Sequence, residues 1–247
     1  MKMSARQYGQ LKAHVIDLSP GEKPQALVIL CHGFGAPGTD LVGLAGEIAD
    51  QLPSPDMRVR FVFPEAPLDL ADHGMWGARA WWHIDMAALQ RAMSRGEPRV
   101  LAQDEPAGLA PARRALLQLI ESALAEAQLP WSRLALGGFS QGAMLTTDVA
   151  LRADEAPGRL FVCSGTLLAE NVWRRFAPRR EGLRALMAHG TSDPILPFAG
   201  AEALRDILLA NRWQVLFLPF HGGHTISGAM LEAMASEIAT LARTDAT

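Results

Sequence analysis

The chain has 247 residues, of which 49% are hydrophobic and 20% charged, a composition typical of a globular protein that buries a sizeable core. Its formal net charge of −3 gives no general attraction to phosphate backbones, which argues against a nucleic-acid partner. No window approaches the ~18 to 20 apolar residues of a membrane span, and residues 1–14 contain no apolar signal core. We therefore expect a cytoplasmic protein without stable membrane insertion.

Short apolar runs recur along the chain, and each is closed by glycine or proline. Nearly continuous apolar runs of this length are typical of parallel strands that are buried on both faces. The predicted strands are residues 26–31, 59–63, 134–136, 160–163, 185–188 and 215–218. Cys31 and Cys163 lie within two of these runs, so we expect reduced core residues rather than a disulfide.

Amphipathic segments separate the runs. Apolar residues keep helical spacing over residues 116–127, 201–208 and 230–241. Because parallel strands need crossover helices, the alternation predicts a doubly wound, mostly parallel α/β sheet flanked by helices. Without repeats or linkers, we expect one domain over residues 1–247. Residues 68–111 lack a clear period, which predicts a long excursion that serves as a lid or a substrate-binding segment.

A Gly-x-Ser-x-Gly pentapeptide, Gly138 to Gly142, follows the third predicted strand and opens a helical segment. In this strand–turn–helix context it predicts a nucleophile elbow, a strained turn that exposes the hydroxyl of Ser140. The backbone amide of Gln141 then lies at a helix N-terminus, where it favours developing negative charge. The alternative is an ordinary glycine-rich turn without a catalytic role.

A serine hydroxyl needs a base to take its proton, and the base needs a third group to orient it. In this architecture the chain order is Ser, then Asp or Glu, then His, each beyond a strand end. Asp193 follows the fifth predicted strand, and His221 and His224 follow the last. We favour His224, which two glycines precede, over His221. A metal site is the weaker interpretation of the histidine pair, because no third ligand stands at recognisable spacing.

Several segments together resemble the phospholipase/carboxylesterase family of α/β-hydrolases, which includes the acyl-protein thioesterases. They are residues 31–35 (CHGFG), 63–67 (FPEAP), 79–85 (RAWWHID), 138–143 (GFSQGA), 189–194 (HGTSDP) and 223–224 (GH). The resemblance spans roughly residues 26–240. It implies an α/β-hydrolase fold and hydrolysis of carboxylic esters, thioesters or lysophospholipids through an acyl-enzyme intermediate, with a Ser140, Asp193 and His224 triad and no metal or other cofactor.

The resemblance also implies an oxyanion hole formed by the backbone amides of Phe34 and Gln141. Two glycines in the loop after the first predicted strand are able to bring such an amide close to the elbow. His32 is expected to anchor this loop rather than to catalyse. Phe34 stands where leucine is common in the family, so the shape of the acyl pocket is expected to differ.

Trp76, Trp81 and Trp82 fall within the excursion, near three methionines, Met75, Met86 and Met93. Aromatic and methionine side chains form adaptable apolar surface that suits an acyl chain, so we predict a substrate-binding wall or lid. The alternative is that these residues pack the loop onto the sheet. His83 and Asp85 are expected to order the loop.

The charged run Arg174, Arg175, Arg179, Arg180 and Glu181 is expected to be a solvated helix end, with contact to an anionic substrate as the alternative. The expected partner is a small-molecule ester or acyl substrate, and the chain is expected to act as a monomer or homodimer. Two other hypotheses stay open: a hydrolase of another bond, such as a peptidase, and a non-catalytic binding protein with this fold.

Overall fold

The computed structural model describes residues 1–85, 87, 89, 91 and 105–243. An eight-stranded sheet organises them. Its strands are β1 (Lys2–Tyr8), β2 (Leu11–Asp17), β3 (Ala26–Cys31), β4 (Val59–Pro64), β7 (Leu134–Phe139), β8 (Arg159–Cys163), β9 (Arg184–Gly190) and β10 (Gln214–Phe220). Their spatial order is β1-β2-β4-β3-β7-β8-β9-β10. The six neighbouring strands β4, β3, β7, β8, β9 and β10 run parallel to one another. Strand β2 pairs antiparallel with both β1 and β4.

Helices connect the parallel strands and cover both faces of the sheet. They are α1 (Leu44–Ala49), α2 (Leu109–Ala127), α3 (Gln141–Arg152), α4 (Glu170–Phe176), α5 (Phe198–Ala210) and α6 (Gly228–Arg243). This arrangement confirms the predicted doubly wound, mostly parallel α/β fold. None of the helices in the described part of the chain is both long and apolar enough to cross a membrane.

Strand β3, in the middle of the sheet, is apolar at every position because both faces of the sheet are covered there. In β3, Leu27 and Ile29 belong to the core on one face, while Val28 and Leu30 belong to the core on the other. Helix α2 packs into the first of these cores and α6 into the second. The continuous apolar runs in the sequence therefore predicted these strands well.

The N-terminal hairpin of β1 and β2 is absent from the predicted elements. Its inner strand buries Leu11, Ala13 and Val15 and leaves the residues between them less covered. Over residues 11–15 this alternation is the pattern of a strand with one covered face, and it differs from the continuous runs used to find the other strands. The hydroxyl of Tyr8 donates a hydrogen bond of 2.8 Å to Glu126, which fastens the hairpin to α2.

The predicted strand at residues 134–136 is longer than expected, since β7 continues to Phe139 and includes the first glycine of the pentapeptide. The two cysteines are unpaired and buried, as expected. Burial raises the pKa of both thiols, that of Cys163 to about 12. Neither thiol is therefore a nucleophile at neutral pH.

The described part of the 68–111 excursion begins with a small hairpin of β5 (Leu68–Asp69) and β6 (Arg79–Ala80). We call the connection between these strands, residues 70–78, the hairpin loop. It contains a short 3₁₀ turn, Ala71–His73. Met86 and Met93, which we expected near the tryptophans, lie outside the described residues.

Candidate active site

Ser140 occupies the turn between β7 and α3, at the carboxyl end of a central strand. Its backbone has φ +53° and ψ −116°, a conformation that residues with a side chain rarely adopt. The Ser140 amide donates to the carbonyl of Cys163 at 2.9 Å, and its own carbonyl accepts the amide of Met144 at 3.1 Å. The Ser140 side chain does not cap α3. The hydroxyl is therefore not used to hold the turn together.

Glycine at position 142 allows this turn to lie directly against the end of β3. A Cβ atom on Gly142 would overlap the carbonyl oxygens of Cys31 and His32. A Cβ atom on Gly138 would also meet the Cys31 carbonyl, at 2.6 Å. The pentapeptide glycines are thus explained by close backbone packing, which holds the strained residue in place.

Asp193 and His224 form a hydrogen-bonded pair, although 31 residues separate them in the chain. Nδ1 of His224 donates to Oδ2 of Asp193 at 2.7 Å, and Oδ1 of Asp193 accepts the amides of Ile195 and Leu196 at 2.8 and 2.9 Å. Burial alone would raise the pKa of Asp193, but these bonds and one from His189 lower it well below its usual range. An ionised carboxylate only accepts, so Nε2 of His224 is left as the acceptor nitrogen.

His224 also lies beside the turn that carries Ser140. Its ring packs against that of Phe139, with 4.7 Å between centroids. The hydroxyl of Ser164, at the end of β8, donates to the carbonyl of Thr225 at 2.8 Å and ties down the loop that carries the histidine. His221 is exposed. The structure thus brings His224, and not His221, to the aspartate.

His189 is a buried supporting residue that the sequence analysis did not single out, although it begins the His-Gly-Thr-Ser-Asp segment. Its Nε2 donates to the carbonyl of Leu196 at 2.8 Å and lies 3.3 Å from Oδ2 of Asp193. The imidazole therefore fixes the turn that follows the carboxylate and contacts the same carboxylate oxygen as His224. A histidine four residues before the aspartate was the signal available in the sequence.

Two backbone amides near Ser140 are left without acceptors. Within residues 1–85 and 105–243, neither the amide of Phe34 nor that of Gln141 donates a hydrogen bond. The neighbouring amide of Gly35 donates to the carbonyl of Arg79 at 2.9 Å, which fixes the loop next to Phe34. Unused amides at a helix N-terminus and in an adjacent loop are available to an anionic oxygen.

The side chain of Gln141 links the turn to the segment after β6. Its Oε1 accepts the amide of Trp81 at 3.0 Å, and its Nε2 donates to the carbonyl of Trp82 at 2.8 Å. The indole Nε1 of Trp81 in turn donates to the carbonyl of His32 at 2.9 Å. These bonds connect the two strand ends that carry the unused amides, a link that the sequence analysis missed.

His32 anchors the loop after β3 in the way expected of it. Its Nε2 accepts the amide of Ala66 at 3.1 Å, so Nδ1 carries the proton and donates to the carbonyl of Gly33 at 2.8 Å. Burial lowers the pKa of His32, which favours this neutral form. A protonated ring would lose the bond from Ala66.

The three tryptophans predicted to bind substrate differ in position. Trp81 and Trp82 are only 1% and 2% exposed and belong to the core on the α2 face, whereas Trp76 is 86% exposed on the hairpin loop. The prediction of a substrate wall is therefore wrong for Trp81 and Trp82, because the Gln141 bonds draw this segment onto the sheet. For these two residues the alternative, packing of the loop onto the sheet, describes the structure.

An apolar groove of about 480 Å³ lies beside the unused amide of Phe34. Four apolar side chains line it, those of Phe34, Leu70, Met75 and Ile84. Three polar side chains, those of His73, His83 and Asp85, complete the lining. His73 and His83 pack edge to face, with 5.3 Å between ring centroids. His83 and Asp85 thus border the groove. We call it the apolar groove below.

The charged run at the end of α4 is less solvated than expected. Arg180 is buried, and its guanidinium donates to the carbonyls of Ala150 and Ala153 at the C-terminal end of α3. The expectation of a solvated side chain is wrong for this residue, because the last carbonyls of a helix lack partners within the helix and attract a cation. Arg174, Arg175 and Arg179 are exposed.

In chemical terms, the site combines a hydroxyl on a strained turn, an imidazole with a free acceptor nitrogen, a charged carboxylate and two unused amides. Among the residues that the structure describes, no group of three or more histidine, cysteine or acidic side chains is arranged to hold a metal ion. The assembled groups provide a nucleophile, a base and donors for an oxyanion.

Comparison with known proteins gives matches along most of the chain. A family profile described as Phospholipase/Carboxylesterase matches residues 12–242. An acyl-protein thioesterase 1 from Emericella nidulans is 30% identical over 179 residues, which cover 71% of this chain and 72% of the relative. An acyl-protein thioesterase 1 from Aspergillus fumigatus is 29% identical over 227 residues, 87% of each chain.

Solved structures share the fold. The crystal structure of esterase PE8 superposes with a TM-score of 0.75 at 23% identity and covers 98% of this chain and 100% of its own. A carboxylesterase from Mesorhizobium loti gives a TM-score of 0.71 at 16% identity, with coverage of 97% and 99%. At these identities the likeness establishes the architecture.

Proposed function

The chain belongs to the phospholipase/carboxylesterase family of α/β-hydrolases, and from this premise we propose that it cleaves carboxylic esters or thioesters through an acyl-enzyme on Ser140. The family match and the relatives confirm the resemblance found in the sequence and the prediction of a carboxylesterase-type hydrolase. The observation that carries the proposal is the strained turn at Ser140 beside the hydrogen-bonded pair of Asp193 and His224.

In the first step, Oγ of Ser140 attacks the carbonyl carbon of the substrate while Nε2 of His224 takes the hydroxyl proton. The Asp193 bond to Nδ1 keeps Nε2 unprotonated before the reaction and stabilises the imidazolium that forms. The lowered pKa of Asp193 keeps its charge available at neutral pH. A tetrahedral oxyanion results.

The amides of Phe34 and Gln141 stabilise this oxyanion. Both lack other acceptors among the described residues, so they form these hydrogen bonds without giving up existing ones. One such donor is typically worth about 3 to 4 kcal/mol in the transition state. Trp81 donates its backbone amide to Oε1 of Gln141 and its indole N–H to the carbonyl of His32, and these two bonds hold the two amides in a fixed relation.

The tetrahedral intermediate then collapses, and His224 returns the proton to the departing alcohol or thiol. A water molecule attacks the acyl-Ser140 ester while His224 takes one of its protons, and collapse of the second intermediate releases the acid and restores the serine hydroxyl. Each step uses only side chains and amides of this chain together with water.

The apolar groove receives the hydrocarbon part of the substrate. It begins at Phe34, whose amide is one of the proposed oxyanion donors, and continues along Leu70 and Met75. An apolar wall directly beside the reacting carbonyl favours an acyl chain over a polar peptide. This is why we propose an ester or thioester as the substrate class rather than a peptide bond.

The proposal is tested by hydrolysis of p-nitrophenyl esters from acetate to palmitate, with a palmitoyl thioester as a second series. We expect Ser140→Ala to lower kcat/KM by at least about 10³-fold, because the nucleophile is lost. Ser122→Ala, a change of the same type on the exposed face of α2, serves as the matched control and should retain full activity.

Labelling with a fluorophosphonate probe gives an independent readout, since only an activated serine reacts. Mass spectrometry should locate the adduct on Ser140 in the unmodified chain and find none in Ser140→Ala. Turnover that survives in Ser140→Ala, or an adduct on another residue, would contradict the proposed nucleophile. A rate that is measurable with one series only would decide between ester and thioester.

A further inference from the structure

A second cavity lies at the end of the sheet opposite to Ser140. It has a volume of about 370 Å³ and is lined by the first residues of three parallel strands, Arg159 of β8, Arg184 of β9 and Gln214 of β10. The candidate catalytic residues follow the carboxyl ends of the strands, so the two sites share no wall. We call this cavity the arginine pocket.

The lining of the arginine pocket is dominated by positive charge. It contains four arginines and a single carboxylate, namely Arg159, Arg179, Arg180, Arg184 and Glu181. Glu181 is engaged by Arg212, which lies 2.9 Å away and contributes a further cation. Residues 152–184 contain seven arginines and four carboxylates, a local net charge of +3 in a chain whose net charge is −3.

The arginines on the strand side are only partly neutralised. Glu237 of α6 accepts from Arg159 at 2.6 Å and from Arg184 at 2.8 Å. One carboxylate therefore balances two guanidinium groups, and one positive charge of this trio remains uncompensated in the lining of the pocket. Arg184 stays nearly half exposed there, so part of its guanidinium is accessible to solvent.

The arginines on the opposite side have no carboxylate partner within the described ranges. The guanidinium of Arg179 lies over the ring of Phe176, 5.5 Å from its centroid, and no salt bridge joins it to another described residue. Among the described residues, the guanidinium of Arg180 donates hydrogen bonds to the carbonyls at the end of α3 and to no carboxylate. Burial lowers the pKa of Arg180 and the charge of Arg179 lowers it further, against the opposing effect of Asp154. An anion in the pocket would relieve this repulsion.

We propose that the arginine pocket binds a small soluble anion that carries a phosphate group, with Arg179 and Arg184 as its main contacts. The planar guanidinium fork matches two oxygens of a phosphate, and such charge-assisted bonds are among the strongest in proteins. A concave space of about 370 Å³ accommodates a small phosphorylated molecule rather than a protein segment. The inference does not depend on the proposed esterase activity.

The test is isothermal titration calorimetry of the full chain with sodium pyrophosphate, at an ionic strength held constant with sodium chloride. We expect saturable binding at one site. Arg179→Ala and Arg184→Ala should each weaken the affinity by about tenfold, as expected for the loss of one charged hydrogen-bonding group. Arg174→Ala is the matched control, because Arg174 pairs with Glu170 and does not line the pocket. Its affinity should be unchanged.

Both test residues are exposed, so the variants should fold, and circular dichroism checks this. Arg179→Lys adds a second measurement: it keeps the charge but loses the fork, and its affinity should lie between those of the wild type and Arg179→Ala. Absence of saturable heat, or equal affinity in all variants, would overturn the proposal. Binding to phosphatidic acid vesicles without binding of pyrophosphate would also overturn it, in favour of a lipid surface.

Discussion

The nucleophile turn, residues 138–142, and the hairpin loop, residues 70–78, both border the candidate active site, but they are built in opposite ways. In the turn, a Cβ atom on Gly142 would overlap backbone atoms of β3. In the loop, a Cβ atom on Gly74 would meet no atom of the described residues within 4 Å, and Trp76 is exposed. Close backbone packing thus fixes the reacting groups, whereas side chains that can be substituted without a backbone clash line the apolar groove. Changes in the turn should affect every substrate, and changes in the loop should select among substrates.

The largest effect is expected from Gly142→Ala. The added methyl group overlaps the Cys31 carbonyl, and relief requires the turn to move away from β3. We expect a destabilisation of about 3 kcal/mol in urea unfolding and loss of measurable p-nitrophenyl butyrate hydrolysis. Gly74→Ala is the matched control. It has open space but φ +77°, so the cost should be about 1 kcal/mol with activity retained.

Equal losses in these two glycine variants would show that the turn and the hairpin loop are equally constrained. A full loss of activity in Gly142→Ala at unchanged stability would instead show a stricter constraint on the turn than stability alone reports. That result would mean that the methyl group displaces the reacting groups without loosening the core.

Asp193→Asn should lower kcat by about 10³- to 10⁴-fold, because an amide no longer selects the productive tautomer of His224. Asp206→Asn, at an exposed position of α5, is the control and should have no effect. A fall of less than tenfold for Asp193→Asn would remove Asp193 from the proposed triad. Steady-state kinetics with one short-chain ester is sufficient for this test.

The difference in unfolding free energy between the wild type and Asp193→Asn should depend on pH. The pKa of Asp193 is lower in the folded state than in the unfolded chain, so its charge contributes stability above the ordinary aspartate pKa of about 3.9. That contribution disappears as the pH falls toward the folded-state value. Urea unfolding should therefore show a difference between wild type and Asp193→Asn that is largest near pH 7 and shrinks below about pH 4. A constant difference would contradict the assignment of a depressed pKa.

Gln141→Met should have an intermediate effect. The thioether preserves the volume of the side chain but removes the bonds to Trp81 and Trp82, which hold the two unused amides in register. We expect kcat to fall by about 10- to 100-fold with little change in KM, since misplaced donors weaken the transition state most. Gln118→Met on the exposed face of α2 is the control. A rise in KM alone would indicate that Gln141 acts through substrate binding.

The smallest effect is expected from Met75→Ala in the hairpin loop. Loss of this groove wall should lower kcat/KM for long-chain esters by about fivefold and leave the acetate ester within twofold, because only a long chain reaches it. Met3→Ala, an exposed methionine of β1, should change neither value. If the acetate and palmitate esters respond equally, the apolar groove is not the acyl site.

The parts of the molecule that could be predicted from the sequence are those in which one local pattern has one physical cause. Strand β3 is apolar throughout because both of its faces are covered, and its bounds agree with the prediction. The order of Ser140, Asp193 and His224 follows from where strands end, and the Asp193–His224 bond agrees with it. Strand β2 was missed because one covered face produces an alternating pattern.

Other features depend on partners that are distant in the chain. The side chain of Gln141 meets Trp81 across 60 positions, and no local pattern shows that this bond turns the two tryptophans inward. The sequence likewise predicts a solvated side chain for Arg180, because nothing local shows that it binds carbonyls at the end of α3. Composition predicted a substrate-binding wall or lid at the tryptophans, whereas Phe34, Leu70 and Met75 are among the side chains that line the apolar groove.

The two buried thiols make the opening of this site measurable by chemistry. The carbonyls of Cys31 and Cys163 border the turn, one against Gly142 and the other accepting the Ser140 amide. A thiol reagent reacts with either residue only while this region is open, so the labelling rate reports the frequency of that opening. Labelling faster than global unfolding would reveal local opening of the nucleophile turn. Labelling at the global rate would show that the turn opens only with the whole sheet.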